Sequence, residues 1–536
     1  MKSQYVAKTV KPGRARNSNT VTLPAPINGI VTSESILGLE QATAMVLDNW
    51  LPTRSGVRMR NGTKTHASIS VVGDPVQSLI VYNAPTTKKL FAASASSIFD
   101  VTSVASPTVP PAAAVSGKTS GYYSFVNFST SGGQYLTVVN GTDQLLLYNP
   151  IEGWVSINAA STPAITGGLT SALKLVWVYR NRQFFIQGGS LIARYLPVGS
   201  VAGVLGTIDL NGVFQRGGAL VLGATWSIDA GNGLDDKCVF ITDQGEAAIF
   251  QGSDPSNATN WSLVGLYDIG SPLGPRATMK NGGDLVIATM AGLVPISASV
   301  QKDPDQTTIA ALSRPIEPDW RSLAGARSGL PWEIVKNTKN GYTIVSSPVT
   351  APGQQPLAYV MNNETGKWGR FTNFDARCLA MFGGNLYFGT SDGRIKLADV
   401  GGSDDGAPIY YTAIGNPESL GNPAATKTLI EARATFKGST PYIPQISVSM
   451  DYEIELPSPP NSANDVPSNT WDGAIWDVST WDAPQAEQSY GSLKVSIGRT
   501  GEVFQYQVQI TGALTPAPDT EFVTLSVSFE MGTPGL

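Results

Sequence analysis

His66 is the only histidine in the chain, so any histidine-dependent proton transfer would have to pass through it, and a zinc site built from several histidines is excluded. No Gly-x-Ser-x-Gly elbow and no Walker-type phosphate loop occurs. Two carboxylates would suffice for glycoside hydrolysis. The acids here are few and turn-bound, however, and no pair stands out, so the chain reads as a non-enzyme. Asp254, Asn257 and Asn260 near Trp261, and Asp404–Asp405 after a glycine pair, carry the oxygen ligands that calcium takes. Neither cluster has calcium-loop spacing, and turn stabilisation by Asx side chains accounts for both. No metal or cofactor is expected. Cys238 and Cys378 lie in apolar strand-like runs far apart in the chain and read as two buried thiols rather than a disulfide.

Trp471–Asp472, Trp476–Asp477 and Trp481–Asp482 recur at a five-residue step inside a Pro/Ser/Asn-rich loop over 457–483. A loop of that length without elements of its own points to function or partner contact. The rings could form a platform for a glycan or peptide. Alternatively they clamp the loop onto its own domain or a neighbouring subunit, and this second reading is preferred. The spacing is far from the roughly 40-residue period of Trp–Asp propeller repeats.

These residues hang on a strand-rich frame. Tyr135–Val139 leads through Asn140–Gly141–Thr142–Asp143 to Leu145–Tyr148, and Val239–Ile241 leads through Asp243–Gln244–Gly245 to Ala247–Phe250. Asn385–Phe388 turns at Ser391–Asp392–Gly393 into Arg394–Ile395. Such hairpins, repeated with longer linkers, predict an all-β chain with a propeller-like body and a separate C-terminal β-sandwich-like domain. Residues 1–30 read as a flexible basic arm and 31–400 as the propeller-like body. Its opening holds a predicted helix over 34–50, and an insert falls near 300–335. Residues 401–426 read as a linker with one short strand, and 427–536 as the C-terminal β domain.

Charged residues make up 14% of the chain, well below the usual quarter, and the net charge is −5. Few charges suit a surface covered by neighbours, and a weakly acidic body argues against a tight grip on nucleic acid. The N-terminus shows no apolar stretch of signal-peptide type, and no run approaches 18 apolar residues, so neither a signal peptide nor a membrane anchor is expected.

The segment Ala44–Pro52, which contains Asn49 and Trp50, continues into Gly56–Val57–Arg58–Met59–Arg60–Asn61–Gly62. It resembles the opening of the tail nozzle, or packaged-DNA stabilisation, proteins of short-tailed phages. Lys89–Ala93, Cys238–Gly245, Phe250–Pro255 ahead of Trp261, and Asn385–Gly393 agree with that family in order. The resemblance implies a virion tail protein assembled in the host cytoplasm. It implies a homo-oligomer, a hexameric ring below the tail adaptor (the head-to-tail connector). That ring would continue the DNA channel, retain and then release the genome, and touch packaged double-stranded DNA only transiently. A tail fibre or spike, and a plug or needle, are the further implied partners. Lys8, Lys11, Arg14 and Arg16 would then face the adaptor or DNA. A peripheral tail protein binding a host glycan or receptor is the alternative, and a polysaccharide-degrading tail enzyme a weaker one.

Overall fold

In a computed structural model of the chain, the described residues are 18–33, 40–70, 73–227, 236–301, 311–328, 330, 332–349, 354–421, 423, 425–438, 442–453, 488–492, 494–512 and 517–532. Most of the chain forms a succession of small antiparallel meanders. The first sheet runs Ser78–Asn83, Lys88–Ala93, Ile98–Asp100, Ala113–Val115. The second runs Ser124–Thr130, Gly133–Val139, Leu145–Asn149, Gly153–Ile157. The third uses Leu173–Tyr179, Arg182–Gln187, Ile192–Tyr195 and Gly206–Asp209, and the fourth Leu220–Trp226, Lys237–Thr242, Glu246–Gly252 and Trp261–Asp268. A three-stranded fifth sheet spans Thr278–Asn281, Asp284–Thr289 and Gly292–Pro295. The sixth is built from Glu333–Asn337, Tyr342–Ser347, Leu357–Asn362 and Trp368–Thr372. The seventh takes Cys378–Phe382, Asn385–Gly389 and Arg394–Ala398 from one stretch of chain and its fourth strand, Thr63–Ser68, from another more than 300 residues earlier.

Local chemistry sets these hairpins. In the second sheet the Asn140 side-chain oxygen accepts from the backbone N–H of Thr142 (3.1 Å) and Asp143 (2.8 Å), an Asx turn that reverses the chain between two buried apolar strands. Both faces of the inner strands are buried, so they read as continuous apolar runs rather than strict alternation.

Each sheet packs face-on against the next. Ile80 and Phe91 meet Leu136 and Tyr148; Val139 and Leu147 meet Phe185; Trp177 and Phe184 meet Phe240 and Phe250. Leu222 and Ile249 meet Leu285 and Ile287; Met279 and Leu293 share a core with Trp332 and Ile334; Ile344 and Val360 meet Leu386 and Phe388. Finally Cys378 and Ile395 of the seventh sheet pack on Leu79 and Leu90 of the first. The succession of cores thus returns to its start.

A second pair of sheets adjoins the sixth. Beyond Trp368–Thr372 that sheet continues through Ala44–Asp48, Tyr410–Gly415, Phe504–Thr511 and Gln445–Met450. Facing it are Trp50–Pro52, Val57–Met59, Glu521–Met531 and Lys427–Gly438, with Ser18–Pro24 paired to Glu521–Met531. Between them Trp50, Phe436 and Phe522 pack with Tyr411, Val448 and Val508 in one core that extends to Trp320, Trp332 and Trp368. The helix Glu317–Ala326 lies in the expected insert, and its Trp320 indole, wholly buried, donates to the Thr289 carbonyl at 2.9 Å.

Three expectations are corrected. The predicted helix over 34–50 is instead strand at Ala44–Asp48 and Trp50–Pro52, while 34–39 lie outside the described residues. The left-handed backbone of Ala42 (φ 63°) and Asn49 (φ 65°) brackets the run, and partner strands on both sides supply its hydrogen bonds. Within the predicted flexible arm, Ser18–Pro24 is strand, and Val21 and Leu23 turn it onto the shared core; residues 1–17 lie outside the described residues. The expected linker and separate C-terminal domain dissolve. Tyr410–Gly415 is an interior strand, and strands after 427 pair with strands before 60.

Phe522 touches both halves of that core: its ring stands 6.4 Å from Trp50 and 5.5 Å from Phe436. Phe522→Ala is expected to cost about 3–5 kcal/mol. In denaturant titration the midpoint should fall while tryptophan fluorescence and far-UV circular dichroism still move together. An early, separate transition of the C-terminal strands would refute the shared core.

Candidate functional site

The residues that carry the family resemblance come together as a brace between the two sheet systems. Arg60, almost wholly buried, places its fork on Asp404, with Nη2 2.6 Å from Oδ2 and Nη1 3.1 Å from Oδ1. Its Nε donates to Asn49 Oδ1 at 2.8 Å, and Asn49 Nδ2 donates to Thr372 Oγ1 (2.8 Å) and the Tyr410 carbonyl (2.7 Å). Asn tolerates the left-handed conformation this requires. Trp50 and Val57 are fully buried, whereas Arg58 is exposed and reaches the Asn340 carbonyl at 3.4 Å. Gly56 and Gly62 stand where strands approach too closely for a side chain: an added Cβ would come within 2.3 Å of the Phe522 carbonyl oxygen and 2.1 Å of the Ser403 carbonyl oxygen. The motif is therefore architectural within the chain.

A second constellation gathers where the first strands of several sheets begin. Arg276, entering the fifth sheet, donates through Nη1 to Ser78 Oγ (3.0 Å) and through Nη2 to the Gln77 carbonyl (2.9 Å). Its guanidinium lies 5.6 Å over the Tyr122 ring, and its Nε is 3.9 Å from Glu333 Oε1. Arg377 Nη2 donates to the Tyr122 hydroxyl at 3.0 Å, and Glu333 Oε2 accepts the Leu379 N–H at 2.8 Å. Residues of five sheets are thus joined through one polar network. Burial pushes the Glu333 carboxyl up, opposed by the Arg276 charge and the Leu379 N–H. Burial, then the Glu333 charge, pushes the Cys378 thiol up to about 12, which leaves it neutral.

Beside this network opens a cavity of about 600 Å³, walled by Tyr122, Tyr123, Asn140, Lys174, Arg276 and Met290 and by the loop that holds Pro272 and Pro275. Among the described residues, two cations and no carboxylate line it. Sequence reading missed this site. Its one linear signal is Glu333, a carboxylate set between Trp332 and Ile334 in a buried strand.

The other singled-out residues have local roles. His66 Nε2 meets the Val101 carbonyl at 2.7 Å and its ring stands edge-on to Tyr387. Asp254 Oδ1 accepts from the N–H and hydroxyl of Ser256, and Asn257 Oδ1 does the same for Thr259. Asp404 is taken by Arg60, and Asp405 by Thr65 and Lys396. Cys238 and Cys378 are both buried and free. Lys8, Lys11, Arg14, Arg16 and the pairs Trp471–Asp472, Trp476–Asp477 and Trp481–Asp482 lie outside the described residues.

Two outcomes are expected. Arg60→Ala leaves the half-buried Asp404 without its cation, with the Thr63 hydroxyl still bonded to it, and should cost about 1–3 kcal/mol; Arg60→Lys, lacking the fork, should recover only part of that in chemical denaturation. For Glu333, the folded chain holds the proton more tightly than the unfolded chain, so its favourable contribution is complete below the ordinary value of 4.5 and is lost as pH rises through the raised folded value. The stability of Glu333→Gln relative to the parent should therefore increase as pH rises above that ordinary value. A pH-independent difference between the two would contradict the assignment.

No family model matches the chain, and no curated protein matches it. Solved structures similar to it include the β-propeller domain of Cps50 (Swd1) from Myceliophteria thermophila, at 12% identity, covering 63% of this chain and 99% of that one, with a TM-score of 0.37. Sqt1 from Saccharomyces cerevisiae is similar at 11% identity over 63% of this chain and 99% of that one, TM-score 0.34. The computationally designed Ika8 protein is similar at 10% identity over 63% of this chain and 100% of that one, TM-score 0.34. The chain is an all-β protein whose antiparallel meanders follow one another along the sequence.

Proposed function

We propose that the chain is a structural subunit of a short phage tail, a nozzle-type protein that continues the DNA channel and helps retain and then release the genome. In this reading the seven meanders are blades of a closed propeller, and the second pair of sheets is a sandwich fixed to its side. The observation that carries it is the brace: the stretch Asn49–Gly62, which bears the family resemblance, is the one that locks the two sheet systems together through Arg60 and Asp404. A subunit that must hold a ring under the pressure of packaged DNA needs its parts fixed in that way.

The axis of the seven sheets is not the conduit. Arg276, Tyr122 and Arg377 link five of the sheets to one another beside a cavity of about 600 Å³, far less than the volume a duplex occupies. A DNA channel would run between copies, lined by a surface of low charge and net negative sign that limits adhesion to phosphate. Six copies around that channel, below the adaptor and above a plug or needle, complete the proposal.

Electron imaging of the purified protein, alone and with tails from virions that carry it, tests this directly. A sixfold ring on the tail axis is the expected result. Monomers or trimers that bind only the periphery of the tail would overturn it. Binding to long duplex DNA near physiological salt should be no tighter than about 10⁻⁶ M; nanomolar affinity would be incompatible with a sliding conduit.

A further inference from the structure

We infer that the cavity beside the Arg276–Glu333 network is a binding site for a carboxylate-bearing peptide segment, a role separate from any contact with DNA. The chain carries a net charge of −5, yet among the described residues this cavity is lined by Lys174 and Arg276 and by no acidic residue. Local charge opposite to that of the whole molecule selects an anion and focuses its field inside a low-dielectric cup.

The two cations are differently prepared. Arg276 is fixed in place: Ser78 Oγ, the Gln77 carbonyl and the Tyr122 face hold it, all of them neutral. Its one acidic neighbour, Glu333, stands at 3.9 Å and shares its other oxygen with the Leu379 N–H, so the guanidinium keeps positive charge to offer. Lys174 is exposed and forms no ion pair among the described residues. Its stem rests against the backbone at Gly141 and Gly188, where an added Cβ would lie 3.0 Å and 3.7 Å from Lys174 Cβ, and this leaves the ammonium as the moving end. Asp143, behind the wall, is already held by Asn140 Nδ2 at 2.7 Å and by Thr119.

The remaining walls suit a peptide more than a simple ion. About 600 Å³ falls within the 300–1,000 Å³ of typical ligand pockets. Met290, 39% exposed, and the two prolines of the Pro272–Pro275 loop give a stiff apolar rim for flanking side chains or backbone. Tyr122, its face under the Arg276 guanidinium, lines the wall below it. The carboxylate can come from acidic side chains or from a chain terminus.

The test is fluorescence anisotropy of the full-length protein with a labelled peptide of four glutamates flanked by glycines, against the same peptide with glutamines. The glutamate peptide should bind at least about tenfold more tightly, and Lys174→Glu should weaken it by about tenfold or more with the melting temperature unchanged. Lys174→Gln should fall between. Amidating the C-terminus separates the sources: lost binding assigns the site to a chain terminus, retained binding to acidic side chains. Equal binding of the two peptides that survives amidation of the C-terminus, no binding of either, or an unaltered affinity in Lys174→Glu would overturn the proposal.

Discussion

The guanidinium of Arg60 is buried, and a buried cation must be matched. Asp404 supplies the charge, and Asn49 with the Asn61 and Thr372 carbonyls the remaining acceptors, so that near and distant parts of the chain together satisfy the fork. Much else follows from that requirement. Asn49 adopts a left-handed backbone there and reaches Thr372 and Tyr410, which sets the sixth sheet beside its extension. Three residues after Arg60, Thr63 begins the strand that completes the seventh sheet. One ion pair therefore fixes both the side-by-side placement of the sheet systems and the point at which the succession of meanders meets itself.

The second polar centre works in a different electrostatic regime. The Arg60 fork is bidentate and close, so Coulomb attraction and hydrogen-bond geometry act together. The Arg276–Glu333 pair is long, and each partner leans on neutral groups instead. The first arrangement favours rigidity. The second leaves charge uncompensated at the edge of a cavity, which is the condition under which a polar cluster recognises something outside itself.

Much of the frame was legible in the chain. Hairpins such as Tyr135–Tyr148 and Val239–Phe250 declare themselves through apolar runs around Asx–Gly turns, because those signals are local. The Ala44–Leu47 run was not, because a short apolar stretch has no period that separates a helix from a strand buried by neighbours on both sides. The domain boundary failed for a related reason. Gly401–Gly406 has the composition of a linker, but which strands pair across it is settled by partners hundreds of residues away. The polar network around Arg276 was invisible for the same cause: Ser78, Tyr122, Arg276, Glu333 and Arg377 share no motif and meet only when the sheets do. The Asn49–Gly62 segment was legible as a resemblance, yet its physical role, bracing, needed the fold.

Ser18–Pro24, near the start of the chain, pairs along its whole length with Glu521–Met531 near its end. A ribosome emits the first of these strands long before the second exists, so during synthesis that edge has no partner and the largest core has no lid. Closure of long loops is the slow part of folding, and here a loop from Ser18–Pro24 to Glu521–Met531 has to close. The early strand is shielded meanwhile by its composition: Thr20 and Thr22 present hydroxyls on one face, which later bond Ser528 and Ser526. Closure of that core thus waits for Glu521–Met531 to emerge, and a chain cut short before it would carry its unpaired edge as a mark of being unfinished.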